Sequence, residues 1–131
     1  MNYFKIILFS LLICSFSSNT NAFTRDEVTR FINIRHKPHG GTHLDYPIPA
    51  DQPEVYYNVE NQFIIIDGGG EVNYYDVEIE SLTTWLTVIS TQVNGTYDTI
   101  DVSSLAPDEY CITITSPTGH EFEGFFQIEK Q

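Results

Sequence analysis

From residue 54 onward the chain alternates short β-branched and aromatic runs with clusters of Gly, Pro, Asn and Asp. That punctuation belongs to an antiparallel sandwich or barrel and not to a βαβ fold. The runs predict strands over 54–59, 62–67, 72–82, 85–92, 96–102, 110–115 and 121–129. Phe63, Ile64, Ile65 and Ile66 form a continuous apolar stretch, the pattern of a strand internal to its sheet. Gly68, Gly69 and Gly70 then reverse the chain. Asn94-Gly95 is a hairpin signal between the runs on either side of it, and Pro117-Thr118-Gly119 is another tight turn.

Period-2 alternation assigns the faces. Tyr75, Val77 and Ile79 share one side, and Tyr74, Asp76, Glu78 and Glu80 the other. Leu105, Pro107 and Tyr110 are spaced like a tyrosine corner, in which the hydroxyl at the start of the penultimate strand folds back onto upstream backbone. With Tyr110 inward, Ile112 and Ile114 are inward and Cys111, Thr113 and Thr115 outward. On the closing strand Phe122, Gly124, Phe126 and Ile128 oppose Glu121, Glu123, Phe125, Gln127 and Glu129. A glycine in the middle of the inward face implies a close backbone approach or a bulge. The expected fold is all-β, an immunoglobulin-like antiparallel sandwich of about seven strands.

The segment before residue 54 is less regular. Residues 30–35 are read as a strand on their β-branched content, although Thr24 and Glu27 form a capping-box pattern that favours a helix. Residues 36–53 hold four prolines and two glycines and are read as an extended loop. Residues 1–22 have Lys5, an apolar stretch over 6–16 and Ala22 at the expected cleavage point, the pattern of a secretory signal peptide. That stretch of 11 residues is short of the ~20 that span a bilayer. Ile13 stands where a lipoprotein signal wants a small residue before Cys14, which argues against an acyl anchor. The expected organisation is a signal peptide over 1–22 and one domain over 23–131. Within that domain, 23–53 carries the N-terminal strand and loop, and 54–131 the sandwich core. The address is export, whether periplasmic, cell-surface or released.

Composition changes the picture in two places. After residue 22 the one cysteine is Cys111, so no internal disulfide can form, and an outward thiol raises the question of a homodimer bridged through it. The same region holds 18 acidic residues against five basic ones, and Arg25, Arg30, Arg35 and Lys37 all lie near its start. Such a field repels phosphate backbones and excludes nucleic acid as a partner class.

These residues carry a resemblance. Tyr75 to Ile79, the approach Ile100 to Leu105, Tyr110 with Ile112 and Ile114, and the closing Glu123 to Ile128 resemble a family of small Bacteroides exported proteins of unknown function with an immunoglobulin-like sandwich. The plan also looks like the C-terminal sorting domain of type IX secretion. Its closing strand is usually basic, however, and this one ends Gln127-Ile128-Glu129-Lys130-Gln131. Membership of the first family implies export and a sandwich and no activity.

For chemistry, His36, His39 and His43 are the one cluster with ligand-like spacing, suited to zinc, copper or nickel. Pro38, Gly40 and Gly41 exclude a helix there, so convergence depends on the loop. Asp67 to Glu71 reads as a flexible turn more readily than as a calcium loop. No G-x-S-x-G, H-E-x-x-H or phosphate loop is present, and a Cys111–His120 dyad would need an orienting partner and a pocket. The chain is therefore read as non-catalytic and without a cofactor. The doublets Tyr56-Tyr57, Tyr74-Tyr75 and Phe125-Phe126 each force one ring outward. Tyr74, Phe125 and one of Tyr56 or Tyr57 among carboxylates suit a glycan or a surface protein. The expected function is an exported binding or interaction module. The alternatives are a small metal-binding protein using His36, His39 and His43, and a sorting-type β-domain. Asn94-Gly95-Thr96 is a glycosylation sequon with meaning only in a eukaryotic secretory route.

Overall fold

A computed structural model of the chain describes residues 29–37 and 48–130. The expected signal peptide, the capping-box residues Thr24 and Glu27, and His39 and His43 lie outside them. The described residues contain no helix. They form β1 (Thr29–Ile32), β2 (Arg35–Lys37), β3 (Glu54–Asn58), β4 (Phe63–Asp67), β5 (Tyr74–Ser81), β6 (Thr87–Asn94), β7 (Tyr97–Asp101), β8 (Asp108–Thr115) and β9 (Glu121–Ile128). One sheet has the order β1-β3-β4-β7 and the other β2-β9-β8-β5-β6, with every pairing antiparallel. Strands β3 to β9 are the seven expected of an immunoglobulin-like sandwich. The N-terminal segment adds one short strand to each sheet.

The predicted strand over 30–35 is thus two strands. Asn33 and Ile34 carry the chain from β3 to β9, from one sheet to the other, and both Ile32 and Ile34 are buried on the way. Gly124 makes that crossing possible. A Cβ there would lie 2.7 Å from Ile34 Cγ2 and 2.9 Å from Ile32 Cγ2, so the inward glycine marks a close approach of the crossing chain. The strap is also matched in charge. Lys37 Nζ lies 2.7 Å from a Glu123 carboxylate oxygen and 3.7 Å from Glu121, and Arg30 reaches Glu129 at 3.4 Å. The basic start of the domain is laid against its acidic closing strand.

The predicted hairpin at Asn94-Gly95 is a crossover. β6 belongs to the five-stranded sheet and β7 to the four-stranded one. Gly95 is needed for proximity, since a Cβ would sit 1.9 Å from the Val72 carbonyl oxygen. Its φ is not in the left-handed region that a type I′ hairpin turn requires. Asn94 contributes an Asx bond instead, its Oδ1 accepting from Thr96 N at 2.7 Å. The glycines at 68–70 make the matching crossover from β4 to β5, with Gly69 and Gly70 at φ of 69° and 86°. Ser116 to His120 is a true hairpin turn, closed by Ser116 N donating to His120 O at 2.9 Å.

Side-chain parity is as the alternation predicts. Tyr75, Val77, Ile79, Tyr110, Ile112, Ile114, Phe122, Phe126 and Ile128 are all buried in the core. β4 is internal to its sheet, with Ile64 and Ile66 inward and Phe63 and Ile65 half-buried outside. The Tyr110 hydroxyl donates to the Ala106 carbonyl, which completes the corner. Leu105 packs against the core beneath it, and Pro107 is exposed. A second buried tyrosine does the same job at the opposite end: Tyr75 OH donates to Asp51 O at 2.7 Å, and burial pushes its hydroxyl up to about 12.

Candidate functional site

The aromatic residues singled out by the doublets do not form one platform. Tyr57 is 3% exposed and packs on Phe126 at a ring separation of 5.7 Å, so it belongs to the core and not to a surface. Tyr56 faces out of the four-stranded sheet, edge-on to Phe31 at 5.5 Å, with its hydroxyl donating to Glu54 at 2.7 Å. Tyr74 and Phe125 face out of the other sheet. Phe125 lies across Cys111 from Glu80, six positions along β5 from Tyr74. At ~3.3 Å per residue that is about 20 Å along the strand, too far for one ligand residue to bridge.

What gathers instead is a cleft at one end of the five-stranded sheet. Phe125, Phe126, Leu82, Glu109 and Gln127 line a space of about 280 Å³. Phe125 is 51% exposed over it, and the Glu109 and Gln127 side chains supply polar groups beside an apolar floor. The turn that contributes Leu82 continues through Thr83 and Thr84 to Trp85 and Leu86, which project into solvent; Trp85 is 70% exposed. This turn is braced. Ser81 Oγ and Thr83 Oγ1 donate to the two carboxylate oxygens of Asp108 at 2.6 and 2.7 Å, and Trp85 N donates to Ser81 O at 2.8 Å. The hydroxyls of Ser81 and then Thr83 hold the Asp108 carboxyl below the usual carboxylate range. Trp85 itself has φ 59°, a left-handed conformation that costs a bulky residue energy and persists only where the surroundings impose it. The apolar run beginning at Trp85 predicts a strand from that residue. The strand begins at Thr87, because the Thr83 and Ser81 bonds to Asp108 hold the preceding residues in a turn.

The opposite end holds a polar cluster that no local pattern announces. Asp51 is only 7% exposed. Ser116 Oγ and Thr118 Oγ1 each donate to its Oδ2 at 2.6 Å, and His120 Nδ1 lies 2.9 Å from its Oδ1. Burial alone would push this carboxyl up. The hydrogen bonds from Ser116, Thr118 and His120 outweigh burial and hold it at about 2. The His120 ring stands edge-on to His36, centroids 5.1 Å apart. Of the three histidines with ligand-like spacing, His36 is therefore the one whose place is described, and its neighbour is His120. Among the described residues no group of three or more His, Cys, Asp or Glu side chains is placed to hold a metal ion. Ser116 donates to Asp51 and not to the imidazole, so the arrangement is an anchored carboxylate and not a serine–histidine relay.

Cys111 faces out of the five-stranded sheet as its parity requires, between Glu80 and Phe125 in the register. It is half-buried. Burial, then the neighbouring Glu123 carboxylate, push its thiol up, which lowers the thiolate fraction. A Cys111–His120 dyad does not form: Cys111 lies four positions along β8 from Thr115, and His120 is bonded to Asp51. The Asp67 turn is capped from within, Gly69 N donating to Asp67 Oδ1 at 3.3 Å, and it is tied to the neighbouring crossover by Gly68 N donating to Thr96 O at 3.0 Å.

No protein-family model and no curated protein matches the chain. Among solved structures it is similar to the crystal structure of a duf3244 family protein with an immunoglobulin-like β-sandwich fold from Bacteroides vulgatus. The TM-score is 0.60 at 13% sequence identity, over 77% of this chain and 99% of that one. This neighbour agrees with the resemblance carried by the corner and closing strands, and the likeness establishes the fold: an immunoglobulin-like β-sandwich.

Proposed function

We propose that the domain is an exported, non-catalytic interaction module that holds a carbohydrate residue in the cleft beside Phe125. The observation that carries this reading is the cleft itself: an exposed aromatic face flanked by Glu109 and Gln127. Sugars present just such a combination, an apolar ring face bordered by hydroxyls, and aromatic rings with adjacent carboxylate and amide groups complement it. The volume of about 280 Å³ falls just below the ~300 Å³ at which pockets for drug-sized ligands begin, which suits one sugar residue of a chain that continues into solvent. A surface protein is the second ligand class. It is favoured by Trp85 and Leu86, which extend the apolar surface beyond what one sugar residue covers.

Trp85 is the chain's single tryptophan, so its emission reports on this turn alone. Titration with neutral glucose, mannose and galactose oligosaccharides is expected to shift that emission saturably for at least one of them. Phe125→Ala is expected to abolish the shift while leaving the thermal midpoint within a few degrees. If no oligosaccharide changes the emission, or if Phe125→Ala responds as wild type does, the glycan reading fails.

A further inference from the structure

The two seams of the sandwich are finished differently. On one side the strap of β1 and β2 crosses between the sheets and closes them. On the other side β6 and β7 are the last strands of their sheets, and between them runs a groove of about 440 Å³. Its floor is Ile89, Val93 and Ile100, and Asp98 and Asp101 stand at its β7 rim. Thr91 shows how open this seam is. It pairs with the fully buried Val77 and shares the inward parity of Ile89 and Val93, yet it is exposed.

The four sheet edges are also protected unequally. β2 has three residues, including Arg35 and Lys37; β1 has four, including Arg30; β7 has five, including Asp98 and Asp101. Shortness and charge are the usual means of blunting an edge against pairing with another chain. β6 has eight residues, Thr87 to Asn94, without a charge or a proline, and among the described residues no strand pairs with its outer row of backbone groups; at its end Asn94 N donates to Asp98 Oδ2 at 2.9 Å.

We propose that this edge is a strand-addition site for an extended partner peptide whose alternate side chains are apolar and whose flanks are basic. The peptide would extend the five-stranded sheet beyond β6, through main-chain hydrogen bonds that are indifferent to its sequence. Every second side chain would enter the groove over Ile89, Val93 and Ile100. Asp98 shares the inward parity of Ile100, and its carboxylate is held at the seam by Asn94 N at 2.9 Å and Thr99 N at 2.8 Å; with Asp101 it gives the rim a negative charge that favours a cation. The same carboxylates argue against a second copy of this chain as occupant. Pairing two β6 edges antiparallel sets the two β7 rims face to face, Asp98 and Asp101 against their equivalents, in a protein of formal charge −12. This site is separate from the Phe125 cleft, and either can fail without the other.

The test uses the full chain and a synthetic peptide of alternating valine and threonine with lysine at both ends. Glutamate-ended and alternately N-methylated versions are the comparisons. Amide hydrogen exchange over Thr87–Asn94 is expected to slow with the lysine-ended peptide and with neither comparison. Thr91→Lys, which places a charge in the exposed seam, is expected to weaken binding more than tenfold. Asp98→Asn with Asp101→Asn, both at the accessible rim, is expected to weaken it about fivefold, as two part-exposed ion pairs would. Absence of protection over Thr87–Asn94 overturns the proposal, as does equal binding of the glutamate-ended or N-methylated peptide. Protection of the same amides by raised protein concentration alone, lost in Thr91→Lys, would make the occupant a second copy and overturn the choice of partner.

Discussion

Replacing Asp51 by asparagine keeps the side chain's shape and removes the charge that Ser116, Thr118 and His120 converge upon. In the folded domain this carboxyl titrates at about 2 against an ordinary 3.8. At ~1.4 kcal/mol per unit, the ionised form contributes about 2 kcal/mol to stability at neutral pH. The direction follows from the depression: the contribution is complete above the unfolded value of 3.8 and is lost as pH falls through the folded value near 2. Asp51→Asn is therefore expected to lower stability by about 2 kcal/mol at pH 7, or to lower the midpoint of thermal unfolding by about 10 °C for a domain of this size. By pH 2.5 roughly a third of the difference should remain. Urea unfolding of both proteins at pH 7, 5, 3.5 and 2.5 measures it. A destabilisation that stays constant across this range would refute the argument, because it would place the cost in packing and not in the ionised carboxylate. So would an asparagine variant as stable as wild type at pH 7.

Two further outcomes follow from close contacts described above. Gly124→Ala would push a methyl to 2.7 Å from Ile34 Cγ2 and is expected to cost about 1–3 kcal/mol, with trypsin cleavage at Arg30 and Arg35 rising before the core unfolds; an unchanged midpoint with an intact strap would contradict the crossing. Cys111, its thiol pushed up by burial and Glu123, is expected to react slowly with a disulfide reagent at pH 7.5 and to run as a monomer on a non-reducing gel, and a bridged dimer would count against it.

The faces of the strands were readable because parity is a local property. Tyr110, Ile112 and Ile114 were readable as core, and Phe125 as turned outward, from the sequence alone, since each needs only its neighbours two positions away. Sheet membership is not local. Asn94-Gly95 looks the same whether it reverses a strand within a sheet or passes it to the other sheet, and the proximity of Val72 and Asn73, some twenty positions upstream, decided between them. The split of the 30–35 run has the same cause: Gly124, far along the chain, receives both Ile32 and Ile34. The candidate sites were least legible. Asp51 lies 65 positions from Ser116 and 69 from His120, so no spacing rule connects them. The Trp85 turn was hidden because the residue that braces it, Asp108, lies 27 positions from Ser81 and 25 from Thr83.

The strap across Gly124 also sets an order of events. Its two halves are bonded to strands made at very different times, β1 to β3 and β2 to β9, the last of the described strands. A chain that emerges N-terminus first can seat Thr29–Ile32 early, but Arg35–Lys37 has no partner until Glu121–Ile128 arrives. The acids of that last strand are also what neutralise Lys37. Closure of this seam is thus deferred until Glu121–Ile128 is in place, and until then Arg35–Lys37 has no strand to seat against and the sandwich stays open.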